Sequence, residues 1–194
     1  TVVNNVETLM NVLPIILDGG TAYAGVGSGS STGTRLFCLS GAVAKPGVYE
    51  VPMGTNLRDL LDKAGAGPMS ALLLGGAAGT FIRPDEIDLP LTLEAARAAN
   101  TTLGSGVVMV FAEGADLRDM VLRIAGFFRD ESCGQCVPCR VGTVRQEEAL
   151  VRLTASGRSE AERARDRLLL DEVGRAMRDA SICGLGQTAW NAIE

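Results

Sequence analysis

The sequence predicts an α+β protein: a small sheet-and-helix unit followed by an antiparallel helical bundle. Three observations predict it. Short apolar runs at 36–40, 48–51, 71–74 and 107–111 read as strands, with one helical stretch between the second and third. After Glu113 the apolar residues change to helical spacing and keep it. Four of the five cysteines fall in that second half.

Taken in order, residues 5–17 place Val6, Leu9, Met10, Leu13, Ile16 and Leu17 near helical spacing, and Asp18-Gly19-Gly20 stops the segment. The run from Gly25 to Gly33 is rich in Gly and Ser and reads as a linker. A phosphate cradle is the alternative, but the Lys-Ser/Thr ending of a P-loop is missing and no helix follows. Residues 35–51 read as a hairpin around Lys45-Pro46-Gly47. A helix is expected over 56–64, with Thr55 as N-cap, Leu57, Leu60 and Leu61 on one face and Gly65 ending it. Residues 83–100 read as a loop holding Pro84 and Pro90, with one helical turn at 94–99. Strand, strand, helix, strand, strand over about 75 residues makes a helix packed on a sheet.

In the second half, Leu117, Met120, Val121, Ile124, Phe127 and Phe128 follow a cap at Asp116. Further helices are expected over 140–153 and 159–178, with a fourth beginning at 187. Short links between amphipathic helices imply an antiparallel bundle.

Composition excludes several function classes. The chain has 194 residues, 46% of them hydrophobic, which allows a packed core. Its formal net charge of −5 argues against a nucleic-acid footprint. No apolar run reaches the roughly 18 residues of a membrane span, so direct membrane insertion is not expected. No basic residue precedes Arg35, so the N-terminus does not read as a signal peptide. Five cysteines, an odd number, argue for reduced thiols or metal ligation over a disulfide framework. The absence of histidine removes most haem, catalytic zinc and Ser-His or Cys-His chemistries.

The chemistry concentrates in Glu131-Ser132-Cys133-Gly134-Gln135-Cys136-Val137-Pro138-Cys139-Arg140, a C-x2-C-x2-C run. Three thiolates at that spacing can wrap three corners of a cubane from one tight loop, leaving one corner for a distant cysteine. Cys183, in Ser181-Ile182-Cys183-Gly184-Leu185-Gly186, is the candidate. Gly134 and Gly184 would let the backbone bend close to the sulfurs and aim N–H groups at them. Those donors, with Arg140 nearby, would favour the more negative reduced cluster. Pro138 removes one N–H and stiffens the loop. A four-cysteine zinc site is the main alternative, although zinc ribbons supply two separated C-x2-C pairs. A catalytic C-x-x-C pair fits the third cysteine poorly. Cys38, in the apolar run Leu36-Phe37-Cys38-Leu39, reads as a buried structural thiol.

The cluster run together with Ser181-Ile182-Cys183 resembles the cluster motif of the flavoprotein, NADH-oxidising subunit of respiratory complex I. The same subunit type serves as the diaphorase of NAD-linked hydrogenases and formate dehydrogenases. Residues 40–54 resemble that family's β-grasp (SLBB) domain, and residues 1–9 resemble the last piece of its FMN-binding domain. The resemblance implies 1–24 as the tail of the FMN domain, 25–34 as linker, 35–112 as the SLBB domain and 113–194 as a helical [4Fe–4S] domain.

The same resemblance implies that Cys133, Cys136, Cys139 and Cys183 hold one [4Fe–4S] cluster and that Val3, Asn4 and Asn5 contact FMN. Amide side chains suit a flavin as both donor and acceptor, whereas the residues alone read Asn4-Asn5 as a turn before a helix. The implied role is an electron relay from NADH-reduced FMN to partner subunits, a small 2Fe–2S subunit and a larger Fe–S subunit. FMN and NAD(H) would be bound mainly by sequence preceding Thr1, so the 194 residues are expected to be part of a longer subunit without NADH turnover of their own. The respiratory complex would place the chain at the cytoplasmic face of a membrane, and the soluble enzymes in the cytoplasm. A zinc-stapled binding module without redox activity, contacting its ligand through Lys45, Tyr49 and the 83–90 loop, is the competing expectation.

Overall fold

The computed structural model describes residues 2–194. It divides into two compact units, one running to Gly76 with Phe81–Glu113, the other Ala77–Thr80 with Gly114–Glu194.

The chain starts with α1 (Val6–Asp18), capped by the Asn5 side chain, which accepts the Glu7 N–H at 3.0 Å. None of its residues is buried, so the apolar stripe read from the sequence exists as a helix face without a covering layer among the described residues. A short α2 (Gly20–Ala24) follows. The expected linker then forms a small antiparallel hairpin of β1 (Gly27–Ser28) and β2 (Ser31–Thr32). The physical reason is Ser31, 3% exposed, whose hydroxyl donates to Glu94 at 2.6 Å and accepts the Leu93 N–H at 2.9 Å.

The main sheet begins with the hairpin of β3 (Thr34–Gly41) and β4 (Gly47–Pro52). Helix α3 (Leu57–Ala64) crosses next and buries Leu57, Leu60, Leu61 and Ala64. Its cap is Asn56, which accepts the Arg58 N–H, while Thr55 donates its hydroxyl to the Pro52 carbonyl. Gly65 ends it in the left-handed conformation at φ 68°, as expected. Then come β5 (Met69–Leu74), a three-residue β6 (Thr80–Ile82), α4 (Leu93–Ala98) and β7 (Val107–Ala112). The five strands lie in the order β4-β3-β7-β5-β6, with β3 and β7 parallel and β5 and β7 antiparallel.

Leu57, Leu60 and Leu61 of α3 pack with Phe37, Leu39, Leu72, Leu74, Val108 and Val110 of the sheet. Each such side chain contributes about 1.5–3 kcal/mol when fully buried. Gly41 (φ 81°) lets the end of β3 lie close beside β7, since a Cβ there would stand 2.1 Å from the Val110 carbonyl oxygen. The 83–100 loop is part of the core: Ile87, Leu89 and Leu91 are buried, and the Leu89 carbonyl accepts the Leu57 N–H at 2.9 Å.

Strand alternation turns Phe37 and Leu39 inward and leaves Cys38 exposed. Cys38 is therefore not the buried thiol expected. It lines a cavity of about 530 Å³ with Asn5, Met10, Pro14, Leu36 and Val48.

The second unit carries α5 (Leu117–Glu131), α6 (Val137–Thr154), α7 (Glu160–Ala180) and α8 (Gly184–Thr188). Asp116 caps α5, and Ser159 with Glu162 forms a capping box on α7. The fourth helix starts three residues before the expected 187 and ends at Thr188. Two glycines allow close packing: a Cβ on Gly142 would stand 2.4 Å from Met177 Cγ, and one on Gly174 2.3 Å from Trp190 Cδ2. Asp166, 6% exposed, is held by Arg152 at 2.8 Å and Arg158 at 2.7 Å. No helix among the described residues is long and apolar enough to cross a membrane.

Candidate metal centre

Helix α6 starts earlier than the sequence predicts, and this changes how the cysteines are presented. Cys136 is its N-cap, and Cys139 lies in its first turn, not in a loop. Pro138 fits there because the first-turn N–H groups have no helical partner. Cys133 stands at the exposed rim of the preceding turn, Cys136 is half-buried and Cys139 is 5% exposed. Gly134 takes φ 73°, and Arg140 closes the turn by donating to the Gly134 carbonyl at 3.1 Å. Cys183, also exposed, is the N-cap of α8.

The two cysteine segments meet. The Ile182 backbone N–H, next to Cys183, is the largest influence on the Cys136 thiol, followed by the Cys139 N–H. They hold that thiol below its ordinary pKa, against an opposing contribution from burial. A low thiol pKa means a larger thiolate fraction, and the thiolate is the form that ligates metals. The N-terminus of the 18-residue α6 favours the same charge.

Close approach is provided by Gly186, not by Gly184, beside which a Cβ would meet nothing within 4 Å. A Cβ on Gly186 would stand 2.9 Å from Cys139 Cβ and 2.3 Å from Ser181 Oγ. Gln187 fixes this segment by donating its side-chain amide to the Ser181 carbonyl at 2.9 Å. On the other side, Thr143 Oγ1 donates to the Cys139 carbonyl at 2.9 Å.

Among the described residues, no three His, Cys, Asp or Glu side chains gather around one point as a single metal ion requires. A tetrahedral zinc site needs four donors at about 2.3 Å from one centre. A cubane takes one thiolate at each iron corner, so its ligands stand further apart. The soft sulfur donors, the backbone N–H groups aimed at Cys136 and the glycine packed against Cys139 suit such a cluster. Sequence reasoning missed Ser132, Ser181 and Gly186, and the only signal for them was adjacency to the cysteines.

The expected flavin contacts Val3, Asn4 and Asn5 lie elsewhere, in the first unit, all exposed. Asn5 Oδ1 is occupied in capping α1.

Comparison with known proteins agrees with the cysteine pattern. Residues 119–194 match the family profile described as the NADH-ubiquinone oxidoreductase-F iron-sulfur binding region, and residues 36–72 match the SLBB domain. The chain is 35% identical over 202 residues to the HndC component of the NADP-reducing hydrogenase of Solidesulfovibrio fructosivorans, covering 100% of this chain and 40% of that protein. It is 38% identical over 197 residues to the F component of the NADH-quinone oxidoreductase of Aquifex aeolicus, covering 100% and 44%. The structure aligns with a chain of an NAD+-reducing [NiFe]-hydrogenase crystallised in the H2-reduced state, with TM-score 0.86 and 38% identity, over 100% of this chain and 33% of that one. The chain thus spans less than half the length of these relatives. Over that part the chain is similar to the F components of NADH-quinone oxidoreductases, with residues 119–194 matching their iron–sulfur binding region and residues 36–72 an SLBB domain.

Proposed function

We propose that Cys133, Cys136, Cys139 and Cys183 hold one [4Fe–4S] cluster and that the chain is an electron relay in an NADH:acceptor oxidoreductase. Electrons enter from NADH-reduced FMN and leave to partner Fe–S subunits, a small 2Fe–2S subunit and a larger one. The observation that carries this reading is the meeting of the 133–139 turn with the 181–186 segment, through the Ile182 N–H on Cys136 and the contact of Gly186 with Cys139.

Bound there, the cluster supplies one-electron transfer, while the flavin handles the two-electron chemistry of NADH. The chain's own residues supply four thiolates, N–H donors that offset their charge, and a buried Cys139 that keeps water from one side. Cys133 and Cys183 face solvent, which gives electrons an edge at which to leave.

The unburied apolar face of α1, with Val6, Leu9, Met10, Leu13, Ile16 and Leu17, supports residues 1–24 as the tail of a flavin domain, and Val3, Asn4 and Asn5 are assigned to its flavin on the sequence resemblance. Residues 25–34 then connect it to an SLBB domain over 35–112, with the cluster domain over 113–194. The complex works in the cytoplasm or at the cytoplasmic face of a membrane.

The test is iron and zinc content with an electron paramagnetic resonance spectrum, after anaerobic reconstitution of the chain and dithionite reduction. About four irons per chain and a reduced [4Fe–4S] signal are expected. One zinc with neither iron nor signal would replace the relay with a zinc-stapled module. NADH–ferricyanide turnover by the 194 residues alone would overturn the division of labour with a separate flavin site.

A further inference from the structure

We infer that the hydroxyls of Ser132 and Ser181 set the reduction potential of the cluster by donating hydrogen bonds to the ligand sulfurs they stand beside. The inference rests on the proposal that these cysteines are ligands, and it concerns two residues that ligate nothing.

Ser132 Oγ lies 3.3 Å from Cys139 Sγ. The same oxygen accepts the Gly134 N–H at 3.4 Å. An oxygen that accepts from an N–H keeps its own proton to give. A ligating thiolate has no proton, so the direction of the Ser132–Cys139 bond is fixed once Cys139 is ionised.

Ser181 makes the stronger case. It is 6% exposed, and its hydroxyl has no hydrogen-bond partner. Its backbone is fully committed: the N–H donates to the Met177 carbonyl at 3.1 Å and the carbonyl accepts from Gln187 at 2.9 Å. Only the hydroxyl is free. It sits in the wedge between Gly186 and Cys139, where a Cβ on Gly186 would stand 2.3 Å from its oxygen and 2.9 Å from Cys139 Cβ. A buried hydroxyl without a partner is costly, and a ligand sulfur beside it would supply the acceptor.

Reduction adds one negative charge to the cluster, spread partly onto the ligand sulfurs. Donors to those sulfurs favour the reduced state, so removing one lowers the potential. A serine that only helped the fold would change melting temperature and leave the potential where it was.

The test is a redox titration of the reconstituted full chain, followed by the amplitude of the reduced signal, with iron counted on the same samples. Ser132→Ala and Ser181→Ala are expected to keep about four irons. At a fixed solution potential near the wild-type midpoint, each loses roughly five- to tenfold in the reduced-to-oxidised ratio, tenfold being about 59 mV for one electron. Ser181→Thr, which keeps the hydroxyl, moves the ratio back toward wild type. Full iron with unchanged ratios in both alanine variants would overturn the inference. If Ser181→Ala alone loses iron, Ser132→Ala on the half-buried turn decides, by the same ratio. Loss of iron from both would assign the hydroxyls to cluster assembly and overturn a tuning role. A wild-type chain that takes up zinc and no iron fails before any serine comparison and overturns the relay reading with it.

Discussion

In the sheet unit the largest fully buried side chains are Phe37, Leu60, Leu72, Leu91 and similar neighbours; in the helical unit they are Met177 and Gln146. The sheet unit closes an apolar layer between α3 and the strands. The helical unit gathers a smaller cluster around Ala125, Ala149, Leu150, Leu170 and Trp190. It also buries Thr143, Gln146, Asp166 and Ser181, with Gln146 Oε1 and Ser181 Oγ lacking partners. Apolar burial dominates the first unit. In the second, Thr143 and Ser181 sit at the cysteine segments, while Gln146 bonds the Ala189 carbonyl and Asp166 pairs with Arg152 and Arg158; its stability should depend on what the cysteines bind.

The largest expected effect sharpens that contrast. Trp190 is the only tryptophan and belongs to the helical unit, so its fluorescence reports that unit alone. Chelation of the cluster should lower the thermal transition seen by Trp190 more than any single substitution, because ligation and folding are coupled. An unchanged Trp190 transition in the metal-free chain would break the comparison. In the sheet unit the corresponding weak point is a single leucine. Leu60→Ala, at a site with 0% exposure, should cost about 2–5 kcal/mol in denaturant unfolding followed by far-ultraviolet circular dichroism.

Helix packing gives a graded pair of smaller effects. Gly174→Ala drives a methyl into the rigid Trp190 indole and should cost about 1–3 kcal/mol. Gly142→Ala meets the flexible Met177 side chain and should cost less, near the low end of about 1 kcal/mol. Equal losses in the two variants would mean that Trp190 moves as easily as Met177. The smallest effect is electrostatic. The Ser31 hydroxyl holds the Glu94 carboxyl below its ordinary value of 4.5. A depressed carboxylate contributes stability above its ordinary pKa and loses it as pH falls through the folded value. Glu94→Gln should therefore lower stability at neutral pH and converge with wild type as pH falls below about 4.5. A variant as stable as wild type at neutral pH would contradict the assignment.

The two units are also unequally legible in the sequence. Metal ligation demands a residue type and a spacing, so Cys133, Cys136, Cys139 and Cys183 stand out without a structure. Helix α5 with its Asp116 cap, the Ser159 start of α7 and the Gly65 stop of α3 are local chemistry and are readable for that reason. Cys38 misleads because Leu36-Phe37-Cys38-Leu39 is apolar throughout, so the alternation that turns Cys38 outward leaves no trace. Strand β6 has three residues between Gly79 and Pro84, too few to show a period. The 83–100 loop does carry a period of two in Ile87, Leu89 and Leu91, but its pairing with residues 55–57 is long-range. Ser132 and Ser181 are invisible because only the fold shows which serine stands beside a cysteine.

If Cys183 is the fourth ligand at the 133–139 turn and Cys38 is not a ligand, the two cysteines answer differently to removal. Iron content of Cys183→Ala and Cys38→Ala, reconstituted side by side with wild type, separates them. About four irons and an unchanged reduced signal are expected in Cys38→Ala, with loss of both in Cys183→Ala. A Cys183→Ala chain with the wild-type iron content and spectrum would contradict that role of Cys183.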